Sequence, residues 1–246
     1  MNIRKSIVTA AIAAFIGFTC GSVTYGASKN LATGYRVADQ MSLENMCSKL
    51  YGAAGDTDSL ELGNGDAQEL VNYIWYEYGL GSQPDVNDIR DYSGNIRISY
   101  SQQTRQALET HRQADAWIAS RVSGLTPDLE TVKQLFVDIV NNVNYDYTYI
   151  NNTAYSAIFR KSSTCNGISH LFKRELELLD IESYYVLGYA SDGGFHAWNA
   201  FVLDGQEYVV DATWAIGFRG TDGIWQYFQC GSDLTLGDGR TATSVW

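Results

Sequence analysis

The stretch GGFHAWNAFVLDGQEYVVDATW, residues 193–214, reads as a β-hairpin with a histidine near one end and an aspartate near the other. Residues 197–203 and 207–213 are rich in Val, Phe, Tyr and Trp, a composition typical of strands. Asp204 and Gly205 stand between them, and Asp-Gly is the strongest short-range signal for a two-residue type I′ turn. We therefore predict an antiparallel hairpin here.

The turn decides which residues of the hairpin face each other. A two-residue turn pairs Leu203 with Gln206 and places Trp198 opposite Asp211. His196 and Asp211 then become diagonal neighbours on one face, roughly 6–8 Å apart at their α-carbons. A carboxylate at that distance can orient an imidazole, so the two residues are a candidate base and its partner. A core histidine and an aspartate that ends a strand would give the same pattern without any chemistry.

The composition limits the class of protein. The chain has 246 residues, which is enough for one large or two small domains with a full core. The net charge of −11 repels phosphate backbones, so we do not expect nucleic acid as a partner. The sequence has no CxxC motif, Cys/His cluster or calcium-loop pattern, so no metal site is predicted. No cofactor is predicted either.

The N-terminal segment has the pattern of an export signal. Arg4 and Lys5 precede an apolar run over residues 6–21, and small residues suitable for cleavage follow. We predict residues 1–27 as a signal peptide, which places the mature chain outside the cytoplasm, secreted or at the cell surface. An uncleaved signal would instead tether the protein to the membrane.

The cysteine count suggests one disulfide. The mature chain would keep Cys47, Cys165 and Cys230, an odd number. In an exported protein two of them would pair and one would stay free. Because Cys47 and Cys230 lie near the two ends of the mature chain, we predict that they pair and that Cys165 remains a thiol.

The remaining chain divides into a mixed helix and strand region, residues 28–125, and a second region, residues 126–246. Apolar residues at helical spacing predict three helices, over residues 104–122, from about Pro127 to residue 143, and from about Cys165 to Asp180. Residues 183–189 read as a strand, and the hairpin follows. Helices followed by sequential strands indicate an α+β fold with an antiparallel sheet.

The two other histidines receive structural interpretations. His111 lies at the margin of the apolar stripe on the helix over residues 104–122. His170 lies off the helical face of Cys165, and we interpret it as solvated or structural.

Cys165 stands at the start of its predicted helix, after the good capping residues Ser162, Ser163 and Thr164. Free N–H groups and the positive end of the helix dipole favour a thiolate at this position. A thiolate nucleophile needs a base, and the base needs an orienting group, roles that His196 and Asp211 can supply. A small buried cysteine with no chemical role remains the alternative.

Two segments together carry a family resemblance. The segment TCNGISHLFKRELELLDIESYYVLGY followed by HAWNAFVLDGQEYVVDATW resembles the core of the transglutaminase-like superfamily. The shared elements are a cysteine at a helix start, a HAWN strand and a VD-TW strand, and the resemblance covers roughly residues 126–230. It implies an α+β, papain-like core in which a helix-borne cysteine packs on an antiparallel sheet.

The resemblance also implies roles for three residues. Cys165 would attack a carboxamide or peptide carbonyl to form a thioester, His196 would protonate the leaving amine, and Asp211 would orient His196. The backbone N–H of Cys165 would stabilise the oxyanion. With water as the acceptor the enzyme is a protease or amidase, and with an amine it is a transglutaminase.

Contacts to the substrate are assigned to four side chains. Trp198 and Trp214 would wall the site, although aromatic residues on a hairpin also serve as core. Asn166 follows the cysteine and would contact the substrate. Tyr145 is a further candidate, and either Tyr145 or Asn144 would be the side-chain partner in the oxyanion site.

These expectations amount to a secreted cysteine acyl-transfer enzyme that acts on extracellular or cell-wall proteins or peptides. The alternative is a non-catalytic binding or structural module that kept the fold. A third reading makes residues 28–125 an adhesion or inhibitory segment. The acceptor and the substrate stay open at this level.

Overall fold

The computed structural model describes residues 37–53 and 57–246. The predicted signal peptide, residues 1–27, lies outside the described residues. No helix among the described residues is long and apolar enough to cross a membrane.

The described chain forms helices and strands in mixed order. The α-helices are α1 (Val37–Gly52), α2 (Ala67–Tyr73), α3 (Gln102–Val122), α4 (Leu129–Asn142), α5 (Cys165–Leu178) and α6 (Ala212–Ala215). The strands are β1 (Ser59–Asn64), β2 (Ile89–Tyr92), β3 (Asn95–Ser99), β4 (Asn144–Tyr145), β5 (Ser162–Ser163), β6 (Glu182–Tyr189), β7 (Phe195–Leu203), β8 (Gln206–Val210), β9 (Phe228–Cys230) and β10 (Thr241–Val245). Turns of π-helix span Ile74–Tyr78 and Ser156–Arg160.

The central sheet has the strand order β10-β6-β7-β8-β9, and every neighbouring pair is antiparallel. The predicted hairpin turn is confirmed, because Asp204 (φ 51°) and Gly205 (φ 76°) both adopt the left-handed region that a type I′ turn requires. The predicted register is also confirmed, since Leu203 pairs with Gln206.

The end of the hairpin differs from the prediction. Strand β8 stops at Val210 instead of continuing to residue 213. Asp211 leaves the ladder and becomes the N-cap of α6, where its Oδ1 accepts a hydrogen bond from the backbone N–H of Trp214 at 3.0 Å. An aspartate side chain that bonds the local backbone competes with strand pairing, which explains the early stop. His196 and Asp211 are therefore not a diagonal pair on two strands.

Helix α5 packs against one face of the central sheet, and α3 and α4 pack around α5. Their shared cluster includes the buried residues Ala114, Ile118, Leu135, Phe136, Ile168, Phe172, Phe201 and Val210. Successive side chains of a strand point to opposite faces, so the other face of β7 carries Trp198 and Ala200, which pack with Leu234 and Leu236. This arrangement confirms the predicted α+β fold with a helix-borne cysteine on an antiparallel sheet.

The N-terminal region contributes a second apolar cluster, here called the N-terminal cluster. Its buried residues come from α1, α2, the sheet β1-β3-β2 and α3, together with Tyr185, Leu187, Ala197 and Trp246 of the central sheet region. His111 is a correction to the sequence interpretation. It is buried rather than marginal, with its ring 4.1 Å from that of Tyr51 and 6.1 Å from that of Tyr78. The proposed division of the chain at residue 126 stays a prediction.

The predicted disulfide is wrong. Within the described residues, Cys47, Cys165 and Cys230 are all free thiols. Cys47 is buried in the N-terminal cluster, whereas Cys230 is exposed on β9, the edge strand of the central sheet. A disulfide needs its α-carbons within about 4.4–6.8 Å of each other, and closeness to the chain ends does not determine that distance.

Candidate active site

Cys165 is the first residue of α5. Thr164 before it is the N-cap, with an extended backbone and no capping bond from its own side chain. The first bond of the helix runs from the N–H of Ile168 to the carbonyl of Thr164 at 3.2 Å. The N–H groups of the first helical turn, beginning with Cys165, therefore have no acceptor within the helix. The thiol stands at the positive end of the helix dipole, as predicted.

The tyrosine-rich connection before the cysteine packs directly on the start of α5. Gly167 makes this possible, because a Cβ at that position would collide with the carbonyl group of Thr153 and the hydroxyl of Ser163. The backbone N–H of Thr164 donates to the carbonyl of Asn151 at 2.8 Å. The connection is thus held against the helix end that carries the thiol.

Asn166 uses both ends of its amide inside the protein. Its Nδ2 donates to the carbonyl of Asn152 at 2.6 Å, and its Oδ1 accepts from the hydroxyl of Tyr185 at 2.7 Å. The side chain therefore ties the connection to strand β6. Its predicted contact with substrate stays a prediction, and any such contact would compete with these two bonds.

His196 stands between a carboxylate and a thiol. Its Nε2 lies 2.8 Å from Oδ2 of Asp211, and both side chains are buried. Because an ionised carboxylate only accepts hydrogen bonds, Nε2 is the donor. Cys165 is close enough to the ring to raise the pKa of His196 as well. The structure thus brings Cys165, His196 and Asp211 together, and Nδ1 is the ring nitrogen left to exchange a proton with the sulfur.

The electrostatic environment favours the charged forms of His196 and Asp211. Burial alone would lower the pKa of His196, but the charge of and bond to Asp211, together with Cys165, raise it to about 10. Burial alone would raise the pKa of Asp211, yet His196, Arg240 and the Trp214 N–H hold it below its usual value. An imidazolium beside a thiol stabilises the thiolate, so the three groups are suited to nucleophilic chemistry.

The sequence reasoning missed Arg240. Its Nη1 donates to Oδ2 of Asp211 at 2.8 Å, the same oxygen that accepts from His196. The guanidinium carbon lies 5.1 Å from the ring centre of Trp198 and 5.2 Å from that of Trp214. No local motif marks this arginine, because it follows a glycine-rich tail and reaches the site only through the fold.

Trp198 and Trp214, both predicted to line the site, differ in burial. Trp198 is 0% exposed, and its Nε1 donates to the carbonyl of Leu234 at 2.9 Å, so it lies in the core. A substrate cannot reach a fully buried ring, and the predicted contact of Trp198 with substrate is wrong. Trp214 is half-buried, with its ring 5.9 Å from that of His196. Its role as a substrate wall stays a prediction.

Tyr145 and Asn144, the two candidates for the oxyanion site, have different surroundings. Strand β4 pairs in parallel with β5, and Tyr145 lies beside Ser163, just before the cysteine. Burial raises the pKa of Tyr145, and the charge of a Cys165 thiolate raises it further. Asn144 is exposed, and its Oδ1 accepts from Arg219 at 3.2 Å. Tyr145 therefore stays a candidate for the oxyanion site, whereas the Asn144 side chain is bonded to Arg219.

His170 has a structural role within the core. It is buried, one ring nitrogen lies 3.1 Å from the carbonyl of Trp75, and its ring stacks on Tyr185 at 4.4 Å. Burial lowers its pKa to about 3. In the part of the chain that the structure describes, no group of three or more His, Cys, Asp or Glu side chains is placed to hold a metal ion.

Comparison with known proteins finds a similarity to one family. Residues 115–212 match the family model of the transglutaminase-like superfamily. The matched segment contains Cys165, His196 and Asp211, whereas Arg240 and most of the N-terminal region lie outside it.

The curated relatives are larger proteins. Kyphoscoliosis peptidase from Homo sapiens is 31% identical over 111 residues, which cover 38% of this chain and 17% of that protein. The Mus musculus protein of the same name is 30% identical over the same length, with the same coverage. The aligned part therefore spans about a sixth of these relatives.

Solved structures show a more distant similarity. The crystal structure of a TGase matches with a TM-score of 0.36 and 15% identity, over 51% of this chain and 43% of that one. Legionella pneumophila LapG matches with a TM-score of 0.30 and 10% identity, over 46% of this chain and 64% of that one.

Proposed function

We propose that this protein is a cysteine acyl-transfer enzyme that opens peptide bonds or glutamine-type carboxamides through a thioester. One observation carries the proposal: buried His196 donates to the carboxylate of Asp211 at 2.8 Å, and the helix-borne thiol of Cys165 is close enough to raise the pKa of the ring. A nucleophile, a base and an orienting group in contact are the arrangement that thiol catalysis requires.

Acylation would begin with the Cys165 thiolate. The sulfur attacks the carbonyl carbon, a C–S bond forms, and the carbonyl π electrons move to oxygen. The free N–H groups at the start of α5 stabilise this oxyanion, with the Tyr145 hydroxyl as a second candidate donor. The His196 imidazolium then gives its proton to the leaving nitrogen, the C–N bond breaks, and a thioester and a free amine result.

Deacylation would use His196 in the opposite sense. Neutral His196 accepts a proton from the acceptor, which attacks the thioester carbon, and the C–S bond breaks to restore the thiolate and imidazolium. Water as the acceptor gives a carboxylic acid, the reaction of a protease or amidase. A primary amine gives a new amide, the reaction of a transglutaminase. Asp211 keeps the imidazole in the correct tautomer through both steps.

The surroundings of the thiol favour a peptide substrate. Tyr147 is 81% exposed, and Tyr149 and Ile150 of the same connection are also exposed. Together with Tyr145 they present apolar surface beside the start of α5, which suits side chains of an extended peptide. From the predicted signal peptide we also propose that the substrate is an extracellular or cell-wall protein.

The test separates an enzyme from a non-catalytic module. Purified protein is incubated with a mixture of peptides, and new amino termini, released ammonia and incorporation of a fluorescent primary amine are measured. Cys165→Ala should abolish all three signals. The matched control is Cys230→Ala, which removes an exposed thiol on β9 and should leave them intact. Equal activity of wild type and Cys165→Ala would disprove the mechanism.

A further inference from the structure

We propose that Arg240 is a positioning residue of this site: it holds the Asp211 oxygen that orients His196 and adds a positive charge beside the triad. The inference rests on the proposed function. It also makes the C-terminal segment part of the site, although this segment lies beyond the matched residues 115–212.

His196 and Arg240 share one carboxylate oxygen of Asp211. Oδ2 of Asp211 accepts from His196 Nε2 and from Arg240 Nη1, each at 2.8 Å, while Oδ1 accepts from the Trp214 N–H at 3.0 Å. The carboxylate is buried, so these three donors take the place of water. Without Arg240, the oxygen that serves His196 would lose one of its two fixed donors.

The guanidinium is itself tightly held. Its Nε lies 2.9 Å from Oδ1 of Asp238, and its Nη2 lies 2.6 Å from Oδ2 of the same residue. The rings of Trp198 and Trp214 lie near its carbon, and the arginine side chain is 0% exposed. A guanidinium with a fixed plane and fixed donors presents Nη1 to Asp211 in one direction. Its position makes it a brace for the carboxylate.

The fold brings the arginine to this place through the close packing of β10 on β6. A Cβ at Gly188 would collide with the carbonyl oxygen of Thr241, so a glycine is required for this approach. Thr241 directly follows Arg240 and pairs with Tyr189. The strand therefore carries Arg240 to the end of the sheet where β7 begins and His196 lies, because His196 pairs with Gly188.

We also expect the charge of Arg240 to favour a thiolate at Cys165. The charged or titratable groups around His196 are Cys165 from α5, Asp211 after β8, and Arg240 and Asp238 from the C-terminal segment, with Tyr227 near the two aspartates. A positive charge near a thiolate stabilises it, and a well-placed imidazolium does the same. Both effects of Arg240 have the same sign, so we expect its loss to slow the alkylation of Cys165.

The experiment measures the rate at which iodoacetamide alkylates Cys165 in the full chain as a function of pH, with the labelled peptide identified by mass spectrometry. Arg240→Met fills the space between the tryptophan rings but removes the charge and the donors. We expect its alkylation below the wild-type midpoint to be about three- to tenfold slower. Arg240→Lys keeps the charge but not the planar set of donors, so it should recover only part of that rate, whereas a packing role predicts no recovery over Arg240→Met.

A second variant keeps the test decisive if Arg240→Met fails to fold, as judged by circular dichroism and thermal melting. Asp238→Asn keeps a side-chain oxygen that accepts from Arg240, so Arg240 stays on Asp211 while the surroundings become more positive, and the midpoint of the alkylation profile should move to lower pH. An unchanged midpoint in the folded Met variant, or in Asp238→Asn when it must stand in, overturns the inference. A wild-type midpoint near 8.5, the value of an ordinary thiol, would instead overturn the proposed function itself.

Discussion

The N-terminal cluster and the candidate active site each bury a histidine in the same region as a cysteine, with opposite electrostatic results. In the N-terminal cluster, burial raises the pKa of Cys47 and lowers that of His111 to about 4. In the active site, Asp211 and Cys165 raise the pKa of His196 to about 10 against the effect of burial. The imidazole is therefore neutral at His111 and charged at His196 near neutral pH.

The difference comes from the partners of each ring. Nδ1 of His111 is buried with no hydrogen-bond partner among the described residues, and the ring packs against Tyr51 with Tyr78 nearby. Asp115 raises the pKa of His111 less than burial lowers it. His196 instead donates to a fully buried carboxylate at 2.8 Å. Burial alone lowers the pKa of a histidine and keeps it neutral, whereas burial with a bonded carboxylate raises the pKa and keeps it charged.

The largest expected difference between the two regions is in activity. His196→Ala should lower kcat/KM by about a thousandfold, because the proton donor and acceptor of both steps is lost. His111→Ala, the matched change in the N-terminal cluster, should retain near wild-type kcat/KM while lowering the melting temperature. Steady-state kinetics and thermal melts on both variants measure this. Similar losses of activity in both would remove the distinction between the regions.

A smaller difference in activity between the two regions is expected when the carboxylate near each histidine is replaced. Asp211→Asn should lower kcat/KM by about a hundredfold, because an amide no longer provides an anionic acceptor that fixes the His196 tautomer. Asp115→Asn is the control, since Asp115 lies near His111 and pairs with Arg174 at 2.6 Å. It should leave kcat/KM within about twofold of wild type. If Asp115→Asn proves as damaging as Asp211→Asn, the carboxylate bond is not the feature that distinguishes the site.

The three thiols should differ in reactivity. At pH 6 we expect iodoacetamide to label Cys165 about tenfold faster than exposed Cys230, because the imidazolium favours the thiolate. Buried Cys47 should be labelled only after denaturation. Peptide mass spectrometry of timed samples gives the three rates. Finding Cys47 and Cys230 resistant to labelling until a reductant is added would restore the disulfide that the structure lacks.

The smallest expected effect is on the pH dependence of stability. The folded pKa of His111 is about 4 and its ordinary value is 6.5, so the unfolded chain binds more protons between these values. The stability contributed by neutral His111 is therefore present above pH 6.5 and is lost as the pH falls towards 4. His196 has the opposite sign: its contribution is full below pH 6.5 and is lost as the pH rises through about 10.

Urea unfolding at a series of pH values measures these slopes. Wild-type free energy of unfolding should decrease from pH 6.5 towards pH 4, and His111→Gln should show a shallower decrease. Buried His170, whose folded pKa is about 3, supplies part of the slope that remains. Superimposable curves for wild type and His111→Gln over this range would show that His111 is not held neutral by the fold.

Local features of the chain were well predicted. The helical spacing of apolar residues and the capping residues predicted α5 with Cys165 at its start. Asp204-Gly205 predicted the turn and the register of the hairpin. Such features depend on neighbours within a few residues. The predicted end of the second hairpin strand was wrong, because Asp211 caps α6 instead of extending β8.

The sequence by itself determined the order of α3, α4, α5 and the strands β6 to β8, the hairpin register and the three residues that meet in the site, because periodicity, turn chemistry and motifs act at short range. Only the tertiary structure decided which cysteines stay apart, which histidine becomes charged, and that Arg240 joins Asp211 from 29 positions along the chain. The reason is physical. Burial and charge depend on what packs around a group, and for Asp211 a decisive neighbour comes from the C-terminal segment.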